Sequence, residues 1–394
     1  MRVFHVTPYF APAFGYGGPP VSVLGLCQGL QRAGVEIEVF TTTANGAAEL
    51  PVPIATRSFY DSVPVRYFPR RRPRRRFRAP DMGPTLSAAL TGCDVVHIHG
   101  LWSAVGWQAA RRARAARVPY VLSPRGMLER GALIYRRWAK RLVFEAIERQ
   151  NLSGAALIHA TSVAEARTLG ALAPRVPVIV VPNGVRADVV GHGPSGSFRR
   201  RWRLSDTRPL VVYLGRIHPI KRLDLLAAAF ARVRVRFPEV QLVIAGPGQV
   251  EEVRTAQAWF RDVAPAVTWT GELDPNEKWD LLADADALVL CSDSESFGTS
   301  VIEALASGVP VVATRTCPWE ELETEGCGRW VDQDVGAIAH GLGEILADPP
   351  AARRMGDRGR ALVRRKYEWD AVARTMADHY RAVAQTTRAQ VFTR

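Results

Sequence analysis

Along this chain, short apolar runs alternate with longer stretches in which apolar residues recur at helical spacing. Val3–Val6, Ile37–Thr41, Val95–Ile98, Tyr120–Leu122, Leu157–Ala160 and Val178–Val181 read as buried strands. Helical patterns such as Val21–Ala33 and Ala104–Arg117 lie between several of them. A second series follows at Leu210–Leu214, Leu242–Ile244, Val267–Trp269, Ala287–Leu290 and Val309–Ala313. Strands alternating with helices predict parallel sheets in doubly wound α/β domains.

The two series are separated by Gly191-His192-Gly193-Pro194-Ser195-Gly196-Ser197, a composition suited to a linker. This places the boundary near 190–205, with domains over 1–195 and 200–370. No repeat of solenoid length is present. Two such domains facing across a cleft would put a site at the carboxyl ends of their strands.

The length of 394 residues suits two domains of ordinary size, and 47% hydrophobic with 23% charged residues excludes global disorder. The opening Met1-Arg2-Val3-Phe4-His5-Val6 reads as a strand and not as a secretion signal. No apolar run reaches the length of a membrane-spanning helix. The five cysteines are scattered with no Cys-x-x-Cys pair, so neither a zinc site nor a disulfide framework is expected, and a reducing cytoplasm is the simplest setting.

The net charge of +14 comes mainly from arginine and implies an anionic partner or simply solvated arginine faces. Arg70, Arg71, Arg72, Arg74, Arg75, Arg76 and Arg78 surround Pro73 and Phe77 in what reads as an exposed loop and not a packed element. A second basic group, Arg136, Arg137, Lys140 and Arg141, falls on a helix pattern.

The densest chemistry lies in Ser292-Asp293-Ser294-Glu295-Ser296-Phe297-Gly298-Thr299-Ser300-Val301-Ile302-Glu303. A strand ends near Cys291, a polar loop follows, a helix starts near Gly298, and Gly308 supplies its stop. Amides at a helix start suit a phosphate or sugar oxygen, and two carboxylates suit hydroxyls at two ends of a ligand. Alternatively, Glu295 caps the helix and Glu303 is a surface charge. Glu-x-Phe-Gly with a second Glu eight positions after the first resembles the signature of family 4 glycosyltransferases. The resemblance implies the GT-B fold, retention of anomeric configuration, and donor contacts along Glu295, Phe297, Gly298, Thr299 and Glu303. The first glutamate would meet sugar hydroxyls and the second the ribose.

Tyr213-Leu214-Gly215-Arg216-Ile217-His218-Pro219-Ile220-Lys221-Arg222 forms a strand-to-helix turn with Arg and Lys five apart, a sensible diphosphate clamp. It resembles the family element whose Arg and Lys neutralise the departing diphosphate, which assigns that role to Arg216 and Lys221. The glycine-rich turn after the first strand is a weak phosphate loop by itself, with neither a dinucleotide nor a Walker pattern. It resembles the family's Gly-Gly loop at Gly17 and Gly18.

His97 and His99 point to one side of a strand end. No third metal ligand with convincing spacing accompanies them, so no metal is expected. The family has a similar His-x-His end, which puts His99 near the reacting sugar. Arg125, after the next strand, either binds an acceptor phosphate or helps orient an acceptor, or is a helix-capping or surface arginine.

Several other segments read as structural. Ser162 and Glu165 have capping-box spacing. Asn183 matches a family turn, but Arg186 departs from its pattern. Ala245-Gly246-Pro247-Gly248 lacks the third glycine of a nicotinamide site, and Asp284 and Asp286 read as a solvated turn. Tyr367-Glu368-Trp369 and the amphipathic Ala371–Ala384 resemble the family's terminal helix that crosses back to the first domain.

The expectation is therefore a metal-independent, retaining transferase that moves a hexose from a UDP- or GDP-sugar to a lipid-linked or polysaccharide acceptor. Its setting would be cytoplasmic, peripheral on an anionic inner membrane face through the arginine loop, with no nucleic-acid partner. Two rivals are a basic nucleic-acid-binding protein, for which Phe77 alone supplies stacking, and a GT-B nucleotide-sugar epimerase.

Overall fold

The computed structural model describes residues 1–129, 141–186 and 196–392. Arg136, Arg137 and Lys140 of the second basic group, and residues 191–195 of the expected linker, lie outside these. The chain forms two compact units, Met1–Gly184 with Trp369–Arg394, and Val185–Glu368.

The first unit is built on an eight-stranded sheet. In chain order its strands are β1 Arg2–Val6 and β2 Glu36–Thr42, then, past a small hairpin of β3 Ala44–Asn45 and β4 Ala48–Glu49, β5 Ser58–Tyr60, β6 Val63–Phe68, β7 Val95–His99, β8 Tyr120–Ser123, β9 Leu157–Ala160 and β10 Val178–Val180. The sheet order is β10-β9-β8-β7-β1-β2-β6-β5, parallel except for the β5–β6 edge pair. Alternation sets the two faces. Val3, Val39 and Val121 pack in one cluster with Leu26, Leu30 and Met376, while Phe4, Val96 and Ile98 pack in another with Val105, Ala109 and Ala113. Chain order reverses between β1 and β7, so the loops after these strands meet at a topological switch point.

The second unit carries β11 Leu210–Leu214, β12 Gln241–Ala245, β13 Val267–Gly271, β14 Ala287–Leu290, β15 Val311–Thr314 and β16 Gly328–Val331. Their order, β13-β12-β11-β14-β15-β16, is the doubly wound arrangement with its switch point between β11 and β14. Every pair is parallel.

The division falls at 184/185, ahead of the expected 190–205. Val185 is already part of the second unit: it is buried there, and its N–H donates to the Tyr367 carbonyl at 2.8 Å. The return falls at 368/369, where the helix Trp369–Phe392 begins and joins the first unit. This is the crossing helix expected from the sequence, starting two residues earlier.

That helix docks on Gly18–Arg32 through a glycine stripe. A Cβ on Gly25 would lie 2.3 Å from the Trp369 indole, and one on Gly29 would lie 2.8 Å from both Ala373 Cβ and the Trp369 carbonyl oxygen. The close helix approach therefore requires hydrogen at both positions. Gly29→Ala should destabilise the first unit by about 1–3 kcal/mol through overpacking, lowering its unfolding midpoint by roughly 2–4 °C per kcal/mol. Gly170→Ala, where no atom lies within 4 Å of the added Cβ, should be neutral or slightly stabilising. Equal midpoints for the two variants in thermal unfolding of the full chain would contradict this packing.

Three sequence expectations need correction. The arginine loop is partly packed. Arg70 is buried, pairs with Glu49 at 2.9 Å and donates to the carbonyls of Gly46 and Ala48. Phe77 stands edge-on to Tyr9 and Tyr16, which stack on each other at 4.1 Å. Arg71, Arg72, Arg74, Arg75, Arg76 and Arg78 remain exposed. Asp284 is not in a solvated turn: it is buried and accepts from the Gly196 and Arg199 amides at the start of the helix Ser197–Arg201. Ser162 caps its helix as expected, but the Glu165 carboxylate turns instead to the Thr161 and Gly126 amides.

Candidate functional site

In the second unit, the switch point brings the loops after β11 and β14 side by side. Three contacts stitch them together. The Asp293 amide donates to the Ile220 carbonyl at 2.8 Å, Arg222 pairs with Asp293 at 3.0 Å, and Lys221 Nζ forms a short ion pair with Glu295 Oε1. Ser292 Oγ donates to the same Glu295 oxygen at 2.7 Å. Both contacts fall on Oε1, which leaves Oε2 available to a hydroxyl donor. The Lys221 and Glu295 side chains are only 17% and 11% exposed, so little water screens the pair.

Arg216 lies on the first of these loops and is exposed, a cation open to a ligand. Gln333 donates to both the Cys291 carbonyl and Asp293, which braces the β14 loop from the β16 side. Arg222 holds a left-handed backbone at φ 53° and clamps Asp224 as well as Asp293.

Glu295 and Glu303 occupy different settings. Glu303 sits within the helix Thr299–Ser307, nearly buried, and pairs with Lys278 at 2.6 Å. Gly298 precedes this helix at φ 85° and has no side chain to cap it, while the Val301 amide already donates to the Gly298 carbonyl at 3.0 Å. Phe297, expected among the donor contacts, is instead a core anchor: its ring packs on Trp319 and Tyr367, and its carbonyl accepts from the Trp319 indole. It fixes the loop from beneath.

In the first unit, Gly17 takes φ 84° just before the helix Gly18–Arg32, and a Cβ there would meet nothing within 4 Å. The turn is thus open on the side where a ligand could approach the backbone. His97 and His99 lie on β7, as expected. A third imidazole joins them, which the sequence did not reveal: His5 on β1 brings its ring nitrogen close enough that His5, His97 and His99 form a buried cluster within 4.8 Å. His5 Nδ1 and His99 Nε2 are 2.9 Å apart, and His159 on β9 comes to 3.5 Å from His97.

Arg125 does not project freely. It holds a left-handed backbone at φ 54°, and its guanidinium donates to Ser22 Oγ at 2.9 Å, Asn183 Oδ1 at 3.1 Å and His99 Nδ1 at 3.2–3.3 Å. Burial lowers its pKa to about 10, against a smaller opposing pull from Glu165, so it stays charged at neutral pH. Burial likewise drives His5 and His159 down to about 3 and holds His97 and His99 well below the usual imidazole range, each helped by the Arg125 charge. All four rings are therefore neutral.

Lys278, Ser292, Asp293, Gln333, His5, His159 and Tyr380 escaped the sequence reading as site residues. Ser292 and Asp293 had a local signal, lying three and two positions before Glu295. The others arrive from separate parts of the chain.

Two family models cover most of the chain: "Glycosyl transferase 4-like domain" over residues 17–184 and "Glycosyl transferases group 1" over 195–362. The chain is similar to a GDP-mannose-dependent alpha-(1-6)-phosphatidylinositol monomannoside mannosyltransferase of Mycobacterium tuberculosis, 33% identical over 233 residues. That match spans 56% of this chain and 60% of the relative's length. A D-inositol 3-phosphate glycosyltransferase of Mycolicibacterium smegmatis is 30% identical over 373 residues, 88% of this chain and 83% of the relative. Among solved structures, a sucrose-phosphate synthase from Thermosynechococcus elongatus superimposes with TM-score 0.75 at 22% identity, covering 98% of this chain and all of that one, which shows a shared fold.

Proposed function

This chain belongs to the group 1 glycosyl transferases, with their GT-B fold, and we propose that it transfers a hexose from a GDP- or UDP-sugar to a hydroxyl of a lipid-linked or saccharide acceptor. The observation that carries the proposal is the Lys221–Glu295 pair at the switch point of the second unit, with Ser292 on the same carboxylate oxygen. Lys221 orients Glu295, and Oε2 accepts from a sugar hydroxyl through a charge-assisted bond of about 1.5–3 kcal/mol.

Arg216, Lys221 and the amides of Thr299 and Ser300 at the helix start stabilise charge growing on the departing diphosphate, the dominant electrostatic contribution in such a transfer. Glu303 receives the ribose, held in place by Lys278. Gly17 and Gly18 leave room for ligand backbone contacts, and Arg125 braces the acceptor side. The transfer proceeds with retention by attack on the face of the leaving group, a phosphate oxygen taking the acceptor proton. No metal and no protein nucleophile take part.

The names of the two relatives support a nucleotide-sugar donor and an inositol-type acceptor. No helix among the described residues is long and apolar enough to cross a membrane. The six exposed arginines between Arg71 and Arg78 support docking on an anionic leaflet, each near-surface charge contributing about 1 kcal/mol.

One assay tests the reading: incubate the full chain with GDP-mannose or UDP-glucose and either inositol 3-phosphate or phosphatidylinositol monomannoside in anionic vesicles, with and without a chelator. Acceptor-dependent nucleotide release and an α-linked product, unchanged by the chelator, are expected. A β-linked product would sink retention, and chelator sensitivity would sink metal independence. Sugar isomerisation without acceptor would favour the epimerase instead.

A further inference from the structure

The hydrogen bonds around the four buried histidines set where the ring protons sit, with His5 Nε2 buried and without a partner among the described residues. Arg125 can only donate, so His99 Nδ1 accepts from it. His99 is neutral, so its proton is on Nε2, which donates to His5 Nδ1 at 2.9 Å. His5 must then carry its own proton on Nε2. The reverse direction would leave His99 accepting at both nitrogens, which a neutral imidazole cannot do.

The second chain is fixed from its other end. The Val181 carbonyl can only accept, so His159 Nε2 donates to it at 2.8 Å. His159 Nδ1 therefore accepts from His97 Nε2, 3.5 Å away, and His97 Nδ1 accepts the hydroxyl proton of Tyr380 at 2.6 Å. Tyr380 belongs to the last helix, 283 residues from His97. The rings stack into one block, with His97 and His99 centroids 4.0 Å apart and His5 lying near-parallel to His99 at 14°.

We propose that Arg125, His5 and Tyr380 are positioning residues that lock the imidazole block at the carboxyl ends of β1, β7 and β9 in a single tautomer, Nε2–H at all four rings. Resting on the transferase reading, this gives His99 a defined part: both ring nitrogens are occupied, so it holds the strand end in place and transfers no proton. It also sets what a metal would have to displace: a divalent ion on His5, His97 and His99 would have to shift ring protons and break the Arg125 contact to His99.

The test uses full-length protein with ¹⁵N-labelled histidine and reads ring-nitrogen shifts at neutral pH, where each tautomer has its own signature. Of the eight histidines, four should appear as neutral, non-exchanging Nε2–H rings. A neutral Nδ1–H ring among the buried four, or zinc retained at one equivalent after purification, would overturn the assignment. The spectrum stands whether or not the chain transfers sugar. In the transfer assay, Arg125→Lys, which lacks the planar fork, should lower kcat about tenfold or more while the donor KM changes little. Tyr380→Phe should broaden or split the His97 signals and leave those of His99 in place. An unaltered His97 spectrum in that variant would remove Tyr380 from the network.

Discussion

Lys221→Ala and Glu295→Ala are each expected to lower kcat by about 10²–10³, the loss typical when a preorganised group facing developing charge is removed. Either change breaks the ion pair and leaves the partner without its main contact. With Lys221 gone, Glu295 keeps only Ser292, so its carboxylate loses both orientation and part of its charge stabilisation. With Glu295 gone, Lys221 remains but no longer shares a loop-to-loop tie. The two losses should therefore be strongly non-additive, the double variant falling little below the worse single one. Each single change leaves a largely buried charge without its main partner, so stability should fall by about 3–5 kcal/mol, while the Asp293–Ile220 and Arg222–Asp293 links still join the loops. Steady-state rates with each variant, beside denaturant unfolding of the same samples, check both statements. Near-wild-type turnover in either single variant would end the assignment of this pair to the donor site.

The second large effect is acid lability of the first unit. In the unfolded chain an imidazole takes up its proton near pH 6.5. In the folded unit, His5 and His159 take theirs only near pH 3, and His97 and His99 are held down in the same direction by burial. Below pH 6.5 the unfolded state thus binds more protons, and stability falls as pH falls. Each ring contributes about 1.4 kcal/mol of loss per pH unit, so moving from pH 7.5 to 5.5 should cost roughly 5 kcal/mol over the four. Glu148, whose pKa burial raises, offsets a small part in the opposite direction. Urea unfolding at the two pH values measures the difference. A midpoint that stays constant down to pH 5.5 would contradict the neutral, buried cluster.

Much of the architecture was readable because parallel strands buried on both faces are short, unbroken apolar runs. Leu157–Ala160, Leu210–Leu214 and Ala287–Leu290 coincide with the expected bounds. Val63–Phe68 was missed because Pro64 and Arg66 interrupt its pattern, which an outer strand tolerates. Gly328–Val331 was missed because an edge strand of four residues with a glycine and an arginine carries little apolar signal.

The site divides in the same way. Glu295, Lys221, Arg216 and His99 stand out because each lies in a local strand-end segment whose spacing is visible in the chain. His5, His159, Tyr380 and Lys278 carry no such local mark. They are placed by topology: adjacent parallel strands align His5 with His97, and the last helix returns Tyr380 to them. Arg70 and Asp284 misled for the opposite reason. Charged residues in polar or basic runs read as solvated, yet Arg70 finds Glu49 from a hairpin and Asp284 finds a helix start.

The central claim is that the second unit holds a nucleotide-sugar through Lys221 and Glu295. Calorimetric titration of GDP-mannose and UDP-glucose into the full chain and into Lys221→Ala tests it most directly. At least one donor should bind with one-to-one stoichiometry, and the variant should bind it at least about tenfold more weakly, ~1.4 kcal/mol. Binding of neither donor, or equal affinity in the variant, would contradict the claim.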